Sequence, residues 1–432
     1  MTRAKMKKTA IEMFAGVGGF RVGLNHVDSI GPDGRAVEDG QWDFVWADQW
    51  EPSTKAQHAF DCYARRFGPE GASNEDVSLV DKSSIPDHTL LCGGFPCQDY
   101  SVARSLSGEK GIQGKKGVLW WQIRDVLAAK RPPFVLLENV DRLLKSPSTQ
   151  RGRDFGIMLR CLADLGYGAE WRVINAADYG FPQRRRRTYI FAWRDDTAHG
   201  ERMTDMPLHD IVAEGGLFAQ QFPIAGMTGP RFAYLTEYTD AADVSDHFSF
   251  GFGGAGAMVG GAVFTADAEP RGAQPLTLGD VCEPSAGEGY YLDEGKEAKF
   301  AYLRGAKKIP RLKPDGTEYI YSEGGMSPYD PMDLPGRTML TSEGSVNRST
   351  HIVKDSTGRL RRLTPVECER LNGFPDGWTE GMPESRRYFA MGNALVCGVV
   401  GRLGDGIGRI IDSERGAQPL PLRDLTDLVG HW

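Results

Sequence analysis

A chain of 432 residues is long for one compact core and suits two. With 40% hydrophobic and 25% charged residues it reads as an ordinary globular protein, and no apolar run reaches the ~20 residues a helical membrane span needs. The formal net charge of −7 argues against a uniformly basic nucleic-acid binder, though not against one whose cations are gathered on one face.

The N-terminus, Met1 to Lys8, is basic but carries no apolar signal core, so the expected location is cytoplasmic. Seven cysteines with no C-x-x-C spacing indicate neither a disulfide framework nor a zinc site, and no metal is expected.

Up to residue 195, short apolar runs alternate with helical stretches, the pattern of an α/β sheet. Strands are expected at 10–14, 44–47, 89–92, 134–137, 171–175 and 188–193, and helices at 20–27, 53–67, 118–129 and 155–165. Phe14-Ala15-Gly16-Val17-Gly18-Gly19-Phe20 links the first strand to the first helix. Its glycines let backbone approach a ligand closely, and a helix start favours negative charge. It is not the dinucleotide fingerprint, because Arg21 stands where the third glycine would be, and a plain tight turn is the competing reading.

The second strand ends in Ala47-Asp48-Gln49-Trp50-Glu51. Ligands of open α/β sheets sit beyond the carboxyl ends of the strands, so a polar side chain here suits ribose hydroxyls and Trp50 suits a purine face. Asp76-Val77 in the next loop offers a carboxylate to an exocyclic amine. The 89–92 strand runs directly into Gly93-Gly94-Phe95-Pro96-Cys97-Gln98-Asp99-Tyr100-Ser101. Two glycines and a proline hold Cys97 in a rigid turn at the sheet's carboxyl edge, where a stabilised thiolate is a nucleophile. Cys92, inside the strand, reads as a packing residue.

The next strand ends in Glu138-Asn139-Val140. An acid closing an apolar run is set for a raised pKa and for proton donation. Gln183-Arg184-Arg185-Arg186-Arg187 then leads into the 188–193 strand. Strand alternation turns Arg185 and Arg187 together toward the site and Arg184 and Arg186 away or toward phosphates; a solvated surface is the competing reading.

From 196 to 354 glycines, aromatics and turn residues dominate, including Gly251-Phe252-Gly253-Gly254-Ala255-Gly256 and Val259-Gly260-Gly261-Ala262. Helical patterning returns after 355, with Thr364-Pro365-Val366-Glu367 as a capped helix start and a closing apolar helix at 394–411. The economical division is 1–195 with 355–432 as one domain, with 196–354 inserted between them.

In this order, FAGVGGF, ADQWE, GGFPCQDYS, LLENV, QRRRR, RRLTPVECERLNGFPDGW and RYFAMGNALVCGVV resemble the DNA (cytosine-5) methyltransferase family of the prokaryotic type. The resemblance implies a Rossmann-like, S-adenosyl-L-methionine-dependent methyltransferase sheet with helices on both faces. It implies a smaller, loop-rich, mostly β target-recognition domain at 196–354. The implied reaction is methylation of carbon 5 of a cytosine flipped from double-stranded DNA. Cys97 would bond to C6, Glu138 would protonate N3, Arg187 would hold the O2 edge, and Arg185 would lie near Cys97 and the target phosphate. Phe14, Gly16, Gly18, Gly19, Trp50, Asp76, Val77 and Asn393 would line the cofactor pocket. Many relatives carry glutamate where Gln49 stands, which leaves Asp48 or Gln49 for the ribose.

Gln98, Ser101, Lys307, Lys308 and Arg311 would contact DNA, with Lys313 adding charge. The expected enzyme is a monomer that works beside a separate restriction endonuclease. An RNA-directed relative would carry a Cys-Phe-Thr motif, which this chain lacks. A non-catalytic homologue would have lost the cysteine or the glutamate, and both are present.

Overall fold

A strand buried on both faces must be apolar at consecutive positions, because it has no wet side to receive polar residues. The structure, a computed structural model, describes residues 6–52, 54–95, 119–313 and 315–414. Three such strands sit at its centre: β1 (Thr9–Met13), β4 (Leu90–Gly94) and β5 (Phe134–Val140). Ala10, Leu90, Cys92, Phe134 and Leu136 enter one apolar layer, and Ile11, Met13, Leu91, Val135 and Leu137 the other. The first layer is shared with helices α1 (Gly19–Leu24) and α11 (Cys397–Ser413). The second is shared with α3 (Leu119–Lys130) and α4 (Arg153–Asp164).

The remaining strands of this sheet are β2 (Asp43–Asp48), β3 (Ala72–Ser73), β6 (Tyr167–Asn175), β7 (Arg186–Arg194), β8 (Ile224–Tyr234), β9 (Ala255–Val259) and β10 (Ala262–Pro270). Their order across the ten-stranded sheet is β8-β10-β9-β6-β7-β5-β4-β1-β2-β3. Strands β5 to β3 of that order run parallel, and from β7 outward the pairing is antiparallel. β1 pairs with β2 on one side and β4 on the other, so the strand order reverses beside it. A crevice opens at such a switch point, beyond the carboxyl ends of the strands. Among the described residues no helix is long and apolar enough to cross a membrane.

Two sequence expectations change. The helix expected at 53–67 begins at His58. The Gln57 side chain takes the preceding residues out of the helix: its Oε1 accepts from Glu51 N (2.8 Å), and its Nε2 donates to the carbonyls of Glu51 (3.0 Å) and Thr54 (2.9 Å). The boundary expected at 195/196 does not end the sheet, because β8, β9 and β10 extend it to residue 270. Gly260 and Gly261, at φ 56° and 81°, form the two-residue turn between β9 and β10, and Gly256 admits the Trp171 ring.

Beyond this wing lie α8 (Glu294–Arg304) and two small ribbons, β11 (Lys307–Leu312) with β12 (Glu318–Glu323) and β13 (Ile352–Lys354) with β14 (Leu360–Arg362). Helices α9 (Pro365–Asn372) and α10 (Glu384–Asn393) follow, and α11 then returns against α1. Thr364 and Glu367 form the capping box of α9. Gly23 lies against Val400, and Lys8 Nζ binds Asp412 (2.9 Å).

Candidate active site

The turn after β1 holds three residues in left-handed conformations: Phe14 (φ 56°), Gly16 (57°) and Gly18 (87°). It is pinned from the next strand: Ala15 N donates to Asp48 O (2.9 Å), and Gly16 N to Gln49 Oε1 (2.7 Å). From the far end of the chain, Trp378 Nε1 donates to Val17 O (2.9 Å), and Leu395 packs on Gly19. Among the described residues, its chain neighbours aside, no atom lies within 4 Å of where a side chain on Gly16 would begin, so the turn is open there.

Polar groups without partners among the described residues gather on this side of the sheet. Asp48 is 2% exposed, its Oδ1 has no partner among the described residues, and burial pushes its carboxyl up to about 7, helped by the nearby Asp76 charge. Gln49 is already committed to Gly16, so of the two ribose candidates Asp48 has the unpartnered oxygen. Trp50 is exposed, and Asp76 is half-buried with Oδ1 accepting from Ser78 N (2.9 Å). Val77 lies in the apolar core beside the sheet. Asn393 is exposed at the end of α10, two residues before the leucine that covers Gly19.

Two acids here had no role in the sequence reading. Glu51 Oε2 is enclosed and unpartnered among the described residues. Glu12, an acid inside an apolar strand, accepts from Phe20 N (3.0 Å) and so ties the start of α1 to β1, while burial pushes its carboxyl up to about 8. The signal for Glu12 was its position in that strand; Glu51 carried none beyond the motif.

Two strands over from β1, β5 brings Glu138 to the same edge, in register with Gly94 of β4. A side chain on Gly94 would begin 3.3 Å from Glu138 Oε2, so the glycine makes room for the carboxylate. Arg187 enters from β7 and its Nε meets Glu138 Oε1 at 2.8 Å, with both side chains mostly enclosed. Burial raises the Glu138 carboxyl above its usual range, against the lowering effect of the Arg187 and Arg185 charges. The adjacent Asn139 donates from Nδ2 to Phe95 O (2.7 Å), which fixes the root of the segment that continues into Pro96 and Cys97. Cys97, Gln98 and Ser101 lie outside the described residues.

The six described cysteines narrow the choice of nucleophile. All but the half-buried Cys282 are buried. Burial pushes the thiols of Cys62, Cys161 and Cys282 up to about 12 and those of Cys92, Cys368 and Cys397 well above their usual range. None of the six supplies a thiolate near neutral pH.

Arg184 and Arg186 are exposed, whereas Arg185 is 2% exposed. Its Nη1 and Nη2 donate to the carbonyls of Met339 (3.1 Å) and Gly392 (3.0 Å). Burial and the Arg187 charge push its guanidinium down to about 9. The expected contact of Arg185 with a target phosphate therefore gives way to an internal one, because its charged end faces protein carbonyls. Lys307 is also tied inward, donating to Leu303 O (2.9 Å) beside Glu323 (3.5 Å), while Lys308 and Arg311 stay exposed on the β11–β12 ribbon.

The C-5 cytosine-specific DNA methylase family model matches residues 8–224 and 287–409. The chain belongs to this family. Among its relatives is the type II methyltransferase M.Sau3AI of Staphylococcus aureus, 52% identical over 94% of this chain and 96% of that one. The type II methyltransferase M.HhaI of Haemophilus parahaemolyticus is 33% identical over 43% of this chain and 49% of its own. Among solved structures, the S. pombe Dnmt2 methyltransferase superposes with a TM-score of 0.55 over 94% of this chain and 99% of that one, at 16% identity. The Entamoeba histolytica methyltransferase EhMeth gives 0.56 over the same shares, at 15% identity. These two likenesses show the methyltransferase fold. The family model passes over 225–286, which includes most of the outer wing of the methylase sheet.

Proposed function

We propose that this methylase takes a cytosine flipped from duplex DNA and methylates its carbon 5, with Cys97 as nucleophile, Glu138 as acid and Arg187 as holder of the base. The observation that carries this reading is the enclosed Glu138–Arg187 pair at the carboxyl edge, beside the strand that leads into Cys97. Cytosine C5 is a poor nucleophile. Bonding of the Cys97 sulfur to C6, with a proton passed from Glu138 to N3, makes C5 enamine-like without leaving charge on the ring. Arg187 fixes the O2 edge and orients Glu138. Once C5 is methylated, loss of its proton to water, expulsion of Cys97 and return of the N3 proton to Glu138 restore the ring, the thiolate and the acid. The target atom is hidden in a stacked duplex, so the base must leave the stack first.

S-adenosyl-L-methionine, held in the switch-point crevice, would supply the electrophilic methyl group. The residues fit it by their chemistry: an open glycine turn behind Phe14, an exposed indole at Trp50, and carboxylate oxygens on Asp48 and Glu51, unpartnered among the described residues, for ribose hydroxyls. Asp76 would take the adenine amino group, and Asn393 would close the pocket from the C-terminal side. Trp50→Ala and Asp76→Ala are each expected to weaken cofactor binding by about 1–2 kcal/mol, for one stacking contact or one hydrogen bond lost. Calorimetry giving wild-type affinity for both would remove the adenine from this place.

The expected substrate is double-stranded DNA, contacted by Gln98, Ser101, Lys308 and Arg311, with its sequence read in the region before Gly336. Because β8 to β10 belong to the catalytic sheet, the segment to exchange for a new specificity is 271–335 rather than all of 196–354. A folded chimera carrying that segment from a relative of different specificity is expected to methylate the relative's site; retention of the original site would move specificity elsewhere. Bisulfite sequencing of plasmid DNA from cells expressing the chain tests the function as a whole. Cytosines protected in one sequence context are expected, and conversion of every cytosine would overturn the reading.

A further inference from the structure

The arginine run is sewn to the segment that closes the recognition region. Gly336 N donates to Pro182 O (2.8 Å), and Arg184 N to Gly336 O (2.7 Å). Thr338 Oγ1 donates to Arg184 O (2.6 Å), and Met339 N to Gln183 Oε1 (3.1 Å). The Arg185 side chain completes the seam by holding the Met339 and Gly392 carbonyls together. Gly392 is required at that crossing, because a side chain on it would begin 2.3 Å from Thr341 N.

A guanidinium buried on neutral carbonyls, with a second cation two residues away, is a poor way to gain stability. Its Nε has no partner among the described residues, so its desolvation is only partly offset. What it provides is registry. One side chain fixes the end of the recognition region, and the end of α10, to the backbone just before Arg187.

We infer that Arg185 is a positioning residue that couples the recognition region to the Glu138–Arg187 pair. Correct seating of residues 271–335 on DNA is transmitted through Gly336–Met339 and Arg185 to the arginine that orients the acid. The inference rests on the function proposed above. It makes sequence discrimination a property of the rate as well as of binding.

The test uses the full-length enzyme, its cognate duplex, and duplexes with one flanking base pair changed. Dissociation constants and single-turnover rates are measured for each. In the wild type the rate ratio between cognate and altered duplexes is expected to exceed the binding ratio. In Arg185→Met the excess should vanish, a loss of about 5–150-fold for an ordinary coupling, with the binding ratio and cofactor affinity unchanged. Arg185→Lys should not restore it, since an ammonium keeps the charge but not the two-carbonyl fork. Thr338→Val breaks one bond of the same seam at a half-buried side chain and should shrink the excess partially, even if the Arg185 variants do not fold.

A wild-type rate ratio equal to the binding ratio would overturn the coupling. So would an equal fall in rate on all duplexes, a joint loss of binding and melting temperature with the rate ratio kept, or full rescue by lysine. A wild type that methylates no duplex would sink the proposed function and the coupling with it.

Discussion

Cys97→Ser is expected to abolish methyl transfer while leaving cofactor affinity near wild type. The other six cysteines are structurally unsuited to attack, because burial keeps each one a thiol. Cys97 follows a glycine pair and a proline, three residues from the Gly94 that makes room for Glu138. A serine hydroxyl does not ionise near neutral pH and adds poorly to C6, so the rate should fall by roughly four orders of magnitude or more, as for other enzymes stripped of a nucleophile. Wild-type enzyme given S-adenosyl-L-methionine and a duplex with 5-fluorocytosine at the site should form an adduct that survives denaturation, because fluorine cannot leave C5 as the proton does. Mass spectrometry should locate that adduct on Cys97. An adduct on another cysteine, or an active serine variant, would end the assignment.

Glu138→Gln is expected to slow the single-turnover rate by about 10²–10⁴-fold, the usual contribution of a positioned acid, with little change in DNA affinity. Glutamine keeps a hydrogen bond to the base but has no proton to give. The pH profile carries the sign. Burial raises the Glu138 carboxyl, so the acid form persists to higher pH than an exposed glutamate allows. Activity that depends on that form holds below the raised pKa and is lost as pH rises through it. The alkaline limb should therefore disappear in Glu138→Gln, leaving a low rate limited by thiolate formation. A variant that keeps the wild-type limb would assign that titration to another group.

The placement of much of the candidate site could be read from the sequence because its groups stand at the ends of apolar strands. Glu138 closes Phe134–Val140, and the glycine turn closes Thr9–Met13, so locating the strands located the edge. Arginine alternation was also legible, since Arg185 and Arg187 face inward and Arg184 and Arg186 outward. The partners of Arg185 were not, because Met339 and Gly392 are 154 and 207 residues away. The outer wing escaped for another reason. β8 leaves Phe232 and Tyr234 exposed at 60% and 53% and interleaves glycines, so it has neither a continuous apolar run nor clean alternation. Lys307 shows a further limit: composition revealed a basic stretch but not that this lysine turns back to Leu303.

The glycine turn after β1 is completed by residues made long after it. Trp378 reaches Val17 across 361 positions, and Lys8 reaches Asp412 across 404. Contacts of such span form late, since the loop they close must be ordered before they repay it. A ribosome that has released only the first half of the chain therefore exposes β1, α1 and their apolar layer with no α11 to cover them. The nascent protein is most prone to aggregate during that interval, and methylating competence should arise abruptly once α11 has emerged instead of accumulating with length.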